Sequence, residues 1–562
     1  MMTASSGAIA PALAVVLTLG ACAHTQHAPG GAGTATHAEI SEADLATRLY
    51  AFAHDSMMGR ATGSEGDFKA ANYVAAEFKR LGLTPAGENG TYFQTVPFVQ
   101  TSVAALRALG TTNGPLEPWQ EYAPVRADLP FRALDGMQVV YGGVAGDTST
   151  WLSSTQATGK LVVFSVVAPA GGPRSYLNPN PVFANRRLAT AAGIAIAELD
   201  IAPAAAVAAM KNLRATLPDL GAASIPARLL VSPAAAAKLL GAPMGTSTAG
   251  TPGSTVRSEM GVTRAPVMFP ARNVIAIFPG SDPQLKGEYV ALTAHNDHLG
   301  VTSVVVDHDS LRAYNRVMRP MGVDTPDRPP NAAQQAAVRG LLDSLRKVHT
   351  PRRDSIMNGA DDDGSGTVSI LEIAEALSLG RVHPRRSILF VSHTAEEVGL
   401  LGSRWYTDHA TVPLDSIVAE FDQDMVGRGR SDDLPEAGPA YMEVVGSRRL
   451  STEYGDLLES VNARQPAPFK FNYVYDAPGH PLQYYCRADH FSYARYGIPS
   501  VAISRGEHLD YHQVTDEAQY IDYAALARVS RFSYDVALAV ANLDHRPKLD
   551  KPKQDPKAPC RQ

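Results

Sequence analysis

Cysteine is nearly missing from this chain: its 562 residues include three, at positions 22, 486 and 560. So few thiols build neither a disulfide scaffold nor a thiolate metal cluster. Cys486 and Cys560 could pair in an oxidising compartment, but a cysteine as late as 560 is expected to stay unpaired. Positive charge is not in excess either. Lysine and arginine number 50 against 56 acidic residues, a net charge of -6, so the basic footprint needed for nucleic acid is absent. Long apolar runs are also lacking. The run at 9–19 is too short to span a bilayer, and no other stretch is longer and apolar enough. No internal repeat is present.

A chain of this length with 45% hydrophobic residues can bury a large core and is expected to form more than one domain. The run at 9–19 has the length of a signal-peptide core, although residues 1–7 carry no lysine or arginine. The LGAC at 19–22 resembles the lipobox of bacterial lipoproteins, whose cysteine is lipidated and becomes residue one. That resemblance implies a signal peptide over 1–21 and a lipid-anchored linker over 22–40. The protein is then expected to be exported and held at the outer membrane through a lipidated Cys22, facing the periplasm or cell surface. Ala23 argues against retention at the inner membrane.

Apolar periodicity of three and four residues predicts helices from residue 41 and over 67–81. Together with the alternating stretch 92–106, they make up a first segment, 41–129. Residues 130–264 read as a small mixed α/β unit without a catalytic cluster. From 265 to 545 apolar strands alternate with helices: strands at 273–278, 288–294, 387–392, 417–421 and 500–504, helices near 367–379, 399–409, 449–463 and 520–543. That alternation predicts an α/β fold with a mostly parallel central sheet flanked by helices. Residues 307–355 form a long insertion with one expected helix at 332–347, and 546–562 read as a disordered tail.

The run NGADDDGSG at 358–366 demands an explanation, because adjacent carboxylates repel unless a cation or ordered donors hold them. It fits a calcium loop, with Asp361, Asp363 and Ser365 at positions 1, 3 and 5, Gly366 at 6 and Glu372 at 12. It equally fits a turn into a helix that offers one aspartate to a shared transition-metal site. Just beyond the predicted strands lie His295, Glu396 with Glu397, Asp422 with Asp424, and His508, Asp510 and His512. Strand carboxyl ends are where open α/β sheets bind ligands. Two imidazoles with several carboxylates suit zinc rather than calcium. Two zinc ions would need one bridging carboxylate, and a further carboxylate could act as base to a bound water.

The blocks AHNDHLG (294–300), NGADDDGSG (358–366), TAEEVGLLGS (394–403), DQDMVGR (422–428) and GEHLDYH (506–512) resemble a di-zinc aminopeptidase family. That family includes the secreted bacterial leucine aminopeptidases, aminopeptidase Y and, more distantly, glutamate carboxypeptidase II. GRATG at 59–63 resembles the family's N-terminal segment, and 130–264 resembles a protease-associated domain in layout. The resemblance implies a zinc exopeptidase fold, two zinc ions and peptide substrates. It implies that Asp362 bridges the ions, that His295 and Asp424 hold the first, and that Glu397 and His512 hold the second. Glu396 becomes the general base, Asp297 the aspartate orienting His295, and Tyr511 a donor to the oxyanion. His298 is expected near the metals but not on them, and Asp361 and Asp363 are expected to hold the turn through backbone amides. Two alternatives stay open: a glutamate-carboxypeptidase-like exopeptidase and a glutaminyl-cyclase-like zinc enzyme.

Overall fold

A computed structural model describes residues 36–562 apart from 105–108, 126–130, 170–171, 212–214, 219–224, 320–324, 326–327 and 430–437. The expected signal peptide and Cys22 lie outside the described residues.

The catalytic part is built on a nine-stranded sheet. Its strands are β1 (Thr84–Pro85), β2 (Phe93–Val96), β3 (Ala271–Phe278), β4 (Tyr289–His295), β5 (Ser387–His393), β6 (Ile417–Gln423), β7 (Tyr441–Val445), β8 (Lys470–Asn472) and β9 (Ser500–Ser504). They lie in the order β1-β3-β5-β4-β6-β9-β7-β8, with β2 also on β3. The four central strands, β5, β4, β6 and β9, run parallel. β3 and β7 join antiparallel on either side. The sheet is therefore mixed, with a parallel centre. The central strands read SILFVSH, IVAEFDQ and the like because both of their faces are covered.

Helices α1 (Glu42–Phe52), α2 (Glu65–Arg80), α3 (Gly366–Leu379), α4 (Leu401–Asp408), α5 (Thr452–Ala463), α6 (His490–Ala494) and α7 (Tyr523–Ala541) surround it. α2 begins two residues before its periodicity does, because the Ser64 side chain caps the Asp67 N–H and Glu65 and Asp67 suit the first turn. α3 is buried from Gly366 through Leu377. It packs against the sheet with α1 and α7 on its outer side, which is why it is apolar almost all round.

The inserted unit starts earlier than expected. An eight-stranded sheet uses Leu109–Thr111, Gly114–Pro115 and Tyr122–Pro124 as well as strands from Gln138–Val144 to Pro252–Ser258. Residues 109–124 thus belong to it and not to the catalytic domain. The early strands are short and polar-flanked, so they carry little pattern of their own; pairing places them. Val99–Ala104 and Gly261–Pro266 pair antiparallel where the chain leaves and returns.

Three other expectations are corrected. The stretch after β4 is not one helix in a loop. It is an antiparallel ribbon of Gly300–Asp307 on Arg353–Met357 that carries two helices, His308–Met318 and Ala332–Leu345. Residues 36–40 are docked rather than tethering: the Thr36 hydroxyl meets buried Glu375, and Ile40 is buried. Residues 546–562 are not disordered. Arg546 pairs with Glu288 at 2.8 Å, the Asp550 N–H donates to the Leu450 carbonyl, and Cys560 is bonded to Cys486. The tail lacks periodicity because it contributes backbone and polar contacts, not an apolar face.

Candidate metal centre

The parallel strands β5, β4, β6 and β9 all end at one edge, and the polar residues follow their last residues. His295 ends β4; Glu396 and Glu397 lie in the turn after β5; Asp424 follows β6; His512 lies in the loop after β9. The aspartate run approaches from the strand Arg353–Met357 and turns directly into α3. A calcium hand needs a helix on each side, and Glu372, its twelfth ligand, accepts instead from the Ser41 N–H at 3.1 Å and pairs with Arg48. The calcium reading fails on both counts.

Within the run the three carboxylates do different work. Asp361 accepts from the Gly427 N–H at 2.6 Å and faces His508 Nε2 at 3.2 Å. Asp363 accepts from the N–H groups of Gly366 (2.9 Å) and His295 (3.1 Å). Both therefore brace the turn. Only Asp362 points into the cluster, with Oδ1 3.2 Å from His295 Nε2 and Oδ2 3.0 Å from His512 Nε2. The peptide between Asp362 and Asp363 is cis. Gly359, at φ 52°, has no room for a side chain: a Cβ there would stand 2.5 Å from the His298 ring.

Two groups of ligand-type atoms share Asp362. His295, Asp362 and Asp424 form one; His298, Asp362 and Glu397 form the other. His512 Nε2 reaches the second at 3.2 Å from Glu397 Oε2. His298, expected near but off the metals, has Nδ1 2.7 Å from Glu397 Oε1. Glu396 sits beside both groups, with its Oε2 3.9 Å from His295 Nε2 and its backbone N–H donating to Asp297 Oδ1 at 3.0 Å. Asp297 is also the turn that His295 leans on: Nδ1 lies 3.2 Å from its carbonyl and 3.5 Å from its carboxylate. Tyr511 stacks on the His512 ring at 3.8 Å and lines the adjoining cleft with Asp362, Glu396, Asp424, Met425, Val445 and Arg487.

The electrostatics are those of a crowded anionic site. Burial drives the Glu396 carboxyl well up, and Glu397 and Asp424 push it further. Burial likewise raises Asp424 and Asp363. For His295 burial pulls downward, but Asp297, Asp362 and Asp424 outweigh it and hold the imidazole well above its usual value. His512 is lifted to about 10 by Asp362 and Glu397 against its burial. Asp362 itself is held low by His295 and His512 despite burial. Protons shared among so many acids and imidazoles mark a place that cations can take. His295 Nε2, His298 Nδ1, Asp362 Oδ2, Glu397 Oε1 and Asp424 Oδ1 are all buried and crowd one another at contact distance, but none of these contacts has the geometry of a hydrogen bond. That set of nitrogen and oxygen donors fits zinc.

Two residues of the site escaped the sequence reading. Arg60, fully buried, donates to the carbonyls of Asn296 (3.0 Å), Asn358 (2.5 Å) and Gly359 (2.8 Å), tying the His295 loop to the aspartate run. The GRATG block was the available signal for it. Asp516 accepts from the N–H groups of Asp361 and Asp362 at 3.0 and 3.1 Å, and no spacing flags it. His298 was visible in its block, but its distance to Glu397 was not. A further group of His308, Asp354 and Glu517 is neutralised by Arg352, 2.5 Å from Asp354 and 2.8 Å from Glu517.

Residues 273–537 match the model of peptidase family M28. Leucine aminopeptidase 1 of Penicillium rubens is 32% identical over 201 residues, 32% of this chain and 48% of that protein. Probable leucine aminopeptidase 2 of Aspergillus oryzae is 30% identical over 158 residues, 26% of this chain and 28% of that protein. The chain thus spans less than half the length of these curated relatives. Among solved structures, an aminopeptidase from Aneurinibacillus sp. strain AM-1 aligns over 92% of this chain and 97% of its own, at 15% identity and a TM-score of 0.48.

Proposed function

We propose, from the match of residues 273–537 to the model of peptidase family M28, that the chain is a zinc-dependent aminopeptidase that removes the N-terminal residue of peptides. The observation that carries the reading is the sharing of Asp362 by two groups of donor atoms, with Glu396 beside both. In this reading His295, Asp362 and Asp424 would hold one zinc ion, and Asp362, Glu397 and His512 would hold a second. His298 Nδ1 steadies the Glu397 carboxylate at 2.7 Å. When bound, zinc lowers the pKa of its water and polarises the substrate carbonyl.

The chain's own groups supply the rest. Glu396 lies at the mouth of the cleft and takes the proton of the attacking water, then returns it to the departing amine. The Asp297 carboxylate accepts from the Glu396 backbone N–H and so fixes the turn that carries this carboxyl. The same aspartate orients His295, which couples base and ligand through one side chain. Tyr511, held flat on His512, offers its hydroxyl toward the carbonyl oxygen as negative charge builds there. Val445 and Ile503, both buried, give the cleft an apolar stretch of lining.

A second reading has one observation in its favour. Arg487 lines the cleft and could face a substrate carboxylate, as a carboxypeptidase requires. Its charge is already met by Glu507 at 3.0 Å, which favours the aminopeptidase. The test is hydrolysis of leucine p-nitroanilide against an N-blocked dipeptide, with metal counted before and after chelation. Zinc-dependent hydrolysis of the anilide supports the proposal; release of a C-terminal residue from the blocked peptide alone overturns it.

Export and anchoring at the outer membrane through Cys22 belong to the same proposal. The Cys486–Cys560 disulfide supports an oxidising compartment. Labelling with a palmitate analogue, lost in Cys22→Ser, tests the anchor.

A further inference from the structure

The far wall of the cleft is a segment without a sheet ladder. Among the described residues, 474–487 contain only short single turns, Val474–Asp476 and Tyr484–Cys486. Yet Tyr484 and Arg487 of this segment line the cleft beside Glu396 and Tyr511. Arg487 stands over the Tyr484 ring at 5.0 Å, donates to the Tyr511 hydroxyl at 3.4 Å, and pairs with Glu507 at 3.0 Å. Something must hold such a wall, because isolated turns open readily.

The C-terminal tail does so. Cys560 is bonded to Cys486, which sits between Tyr484 and Arg487. Gln562 Nε2 donates to the carbonyls of Tyr475 (3.0 Å) and Ala477 (3.2 Å), and its Oε1 accepts from the Tyr485 N–H at 2.9 Å. The Gly479 N–H donates to the Gln562 carbonyl at 3.1 Å. Cys560 packs in one apolar cluster with Val445, Tyr475, Tyr484 and Tyr485, and Val445 is itself a cleft residue. Upstream, the tail is anchored by the Pro556 carbonyl on Arg495 (3.2 Å) and by Asp550 on the Thr452 N–H (3.0 Å).

We propose that residues 550–562 are a working part of the substrate cleft: through Cys486–Cys560 and Gln562 they position Tyr484 and Arg487, and substrate affinity therefore depends on the intact disulfide. Cys486, Cys560 and Gln562 are positioning residues and do not touch the reacting atoms. Reduction by an external dithiol would break the sulfur–sulfur bond, adding two electrons and two protons to give two thiols while the dithiol closes to its own disulfide. The wall would then keep only its non-covalent contacts. The inference deepens the aminopeptidase reading and rests on it for its kinetic readout.

The test compares wild type with Cys486→Ser plus Cys560→Ser, and with Gln562→Ala, in which the disulfide remains. For the double variant, KM for leucine p-nitroanilide should rise about five- to tenfold with kcat within about twofold, the signature of lost binding rather than lost chemistry. Bound zinc should be unchanged, and amides of 474–488 should exchange hydrogen faster than in wild type. Gln562→Ala should shift KM and exchange in the same direction by a smaller amount. Unchanged KM and unchanged exchange in both variants would overturn the proposal, as would a fall in kcat that tracks loss of zinc. If wild type fails to hydrolyse any aminoacyl anilide, the peptidase reading falls, and the tether is judged on hydrogen exchange alone.

Discussion

The floor of the site and its far wall are made in opposite ways. The floor hangs from strand ends and from the turn that leads into α3, is largely buried, and is cross-braced by carboxylates on backbone N–H groups. The wall is a run of single turns held from outside by a disulfide and one glutamine. A floor built from sheet ends is stiff without help, so its residues can be spent on ligands. A wall built from turns can vary in shape, but only if something distant keeps it in place. The two halves of the cleft thus separate chemistry from fit, and substitutions should divide accordingly.

The sharpest break comes at Glu396. Glu396→Gln should lower kcat by about a hundredfold to ten-thousandfold with zinc still bound, measured by steady-state kinetics beside elemental analysis. Retention of full turnover would remove Glu396 from its role. Next is the brace between loops. Arg60→Met leaves three buried carbonyls without their donor, and should cost about 3 kcal/mol of stability, read as a lower denaturant midpoint. A smaller, more local change is expected from His298→Ala. Losing the imidazole beside Glu397 should weaken zinc binding by about ten- to a hundredfold, seen by competition with a chelator. Tyr511→Phe should be the mildest of these, lowering kcat/KM by about tenfold while KM for the anilide stays near its wild-type value. If instead it raised KM alone, Tyr511 would belong to the wall.

The floor was largely legible in the sequence and the wall was not. Central strands bury both faces, so SILFVSH and IVAEFDQ announce themselves, and the polar residues that follow them stand out by contrast. The aspartate run was read down to one inward-facing residue, Asp362, and its neighbours do brace the turn. His298 could not be placed, because which nitrogen meets which carboxylate depends on a loop that Gly359 and Arg60 shape together. Asp516 was invisible for a related reason: a side chain that only accepts from distant N–H groups leaves no periodic mark. The tail misled in the same way. Its lysines and prolines suit a solvated segment, and its grip on the body comes from backbone atoms, a few polar side chains and one disulfide. The inserted sheet lost its first strands to the same difficulty, since two- and three-residue strands are defined by their partners.

The paired strands Val99–Ala104 and Gly261–Pro266 have a consequence for how this chain is put together. Ala104 and Gly261 stand directly opposite each other in the antiparallel register, so the chain departs and returns at a single point. A two-residue turn of the kind that closes hairpins could join them, and every strand of the catalytic sheet would keep its neighbours. The intervening unit is an insertion that the catalytic sheet does not need for its register, but it is stitched back by Ala215–Thr216 on Val99–Gln100 and by buried Leu217 beside Val96 and Phe98, so removing it would uncover that apolar contact.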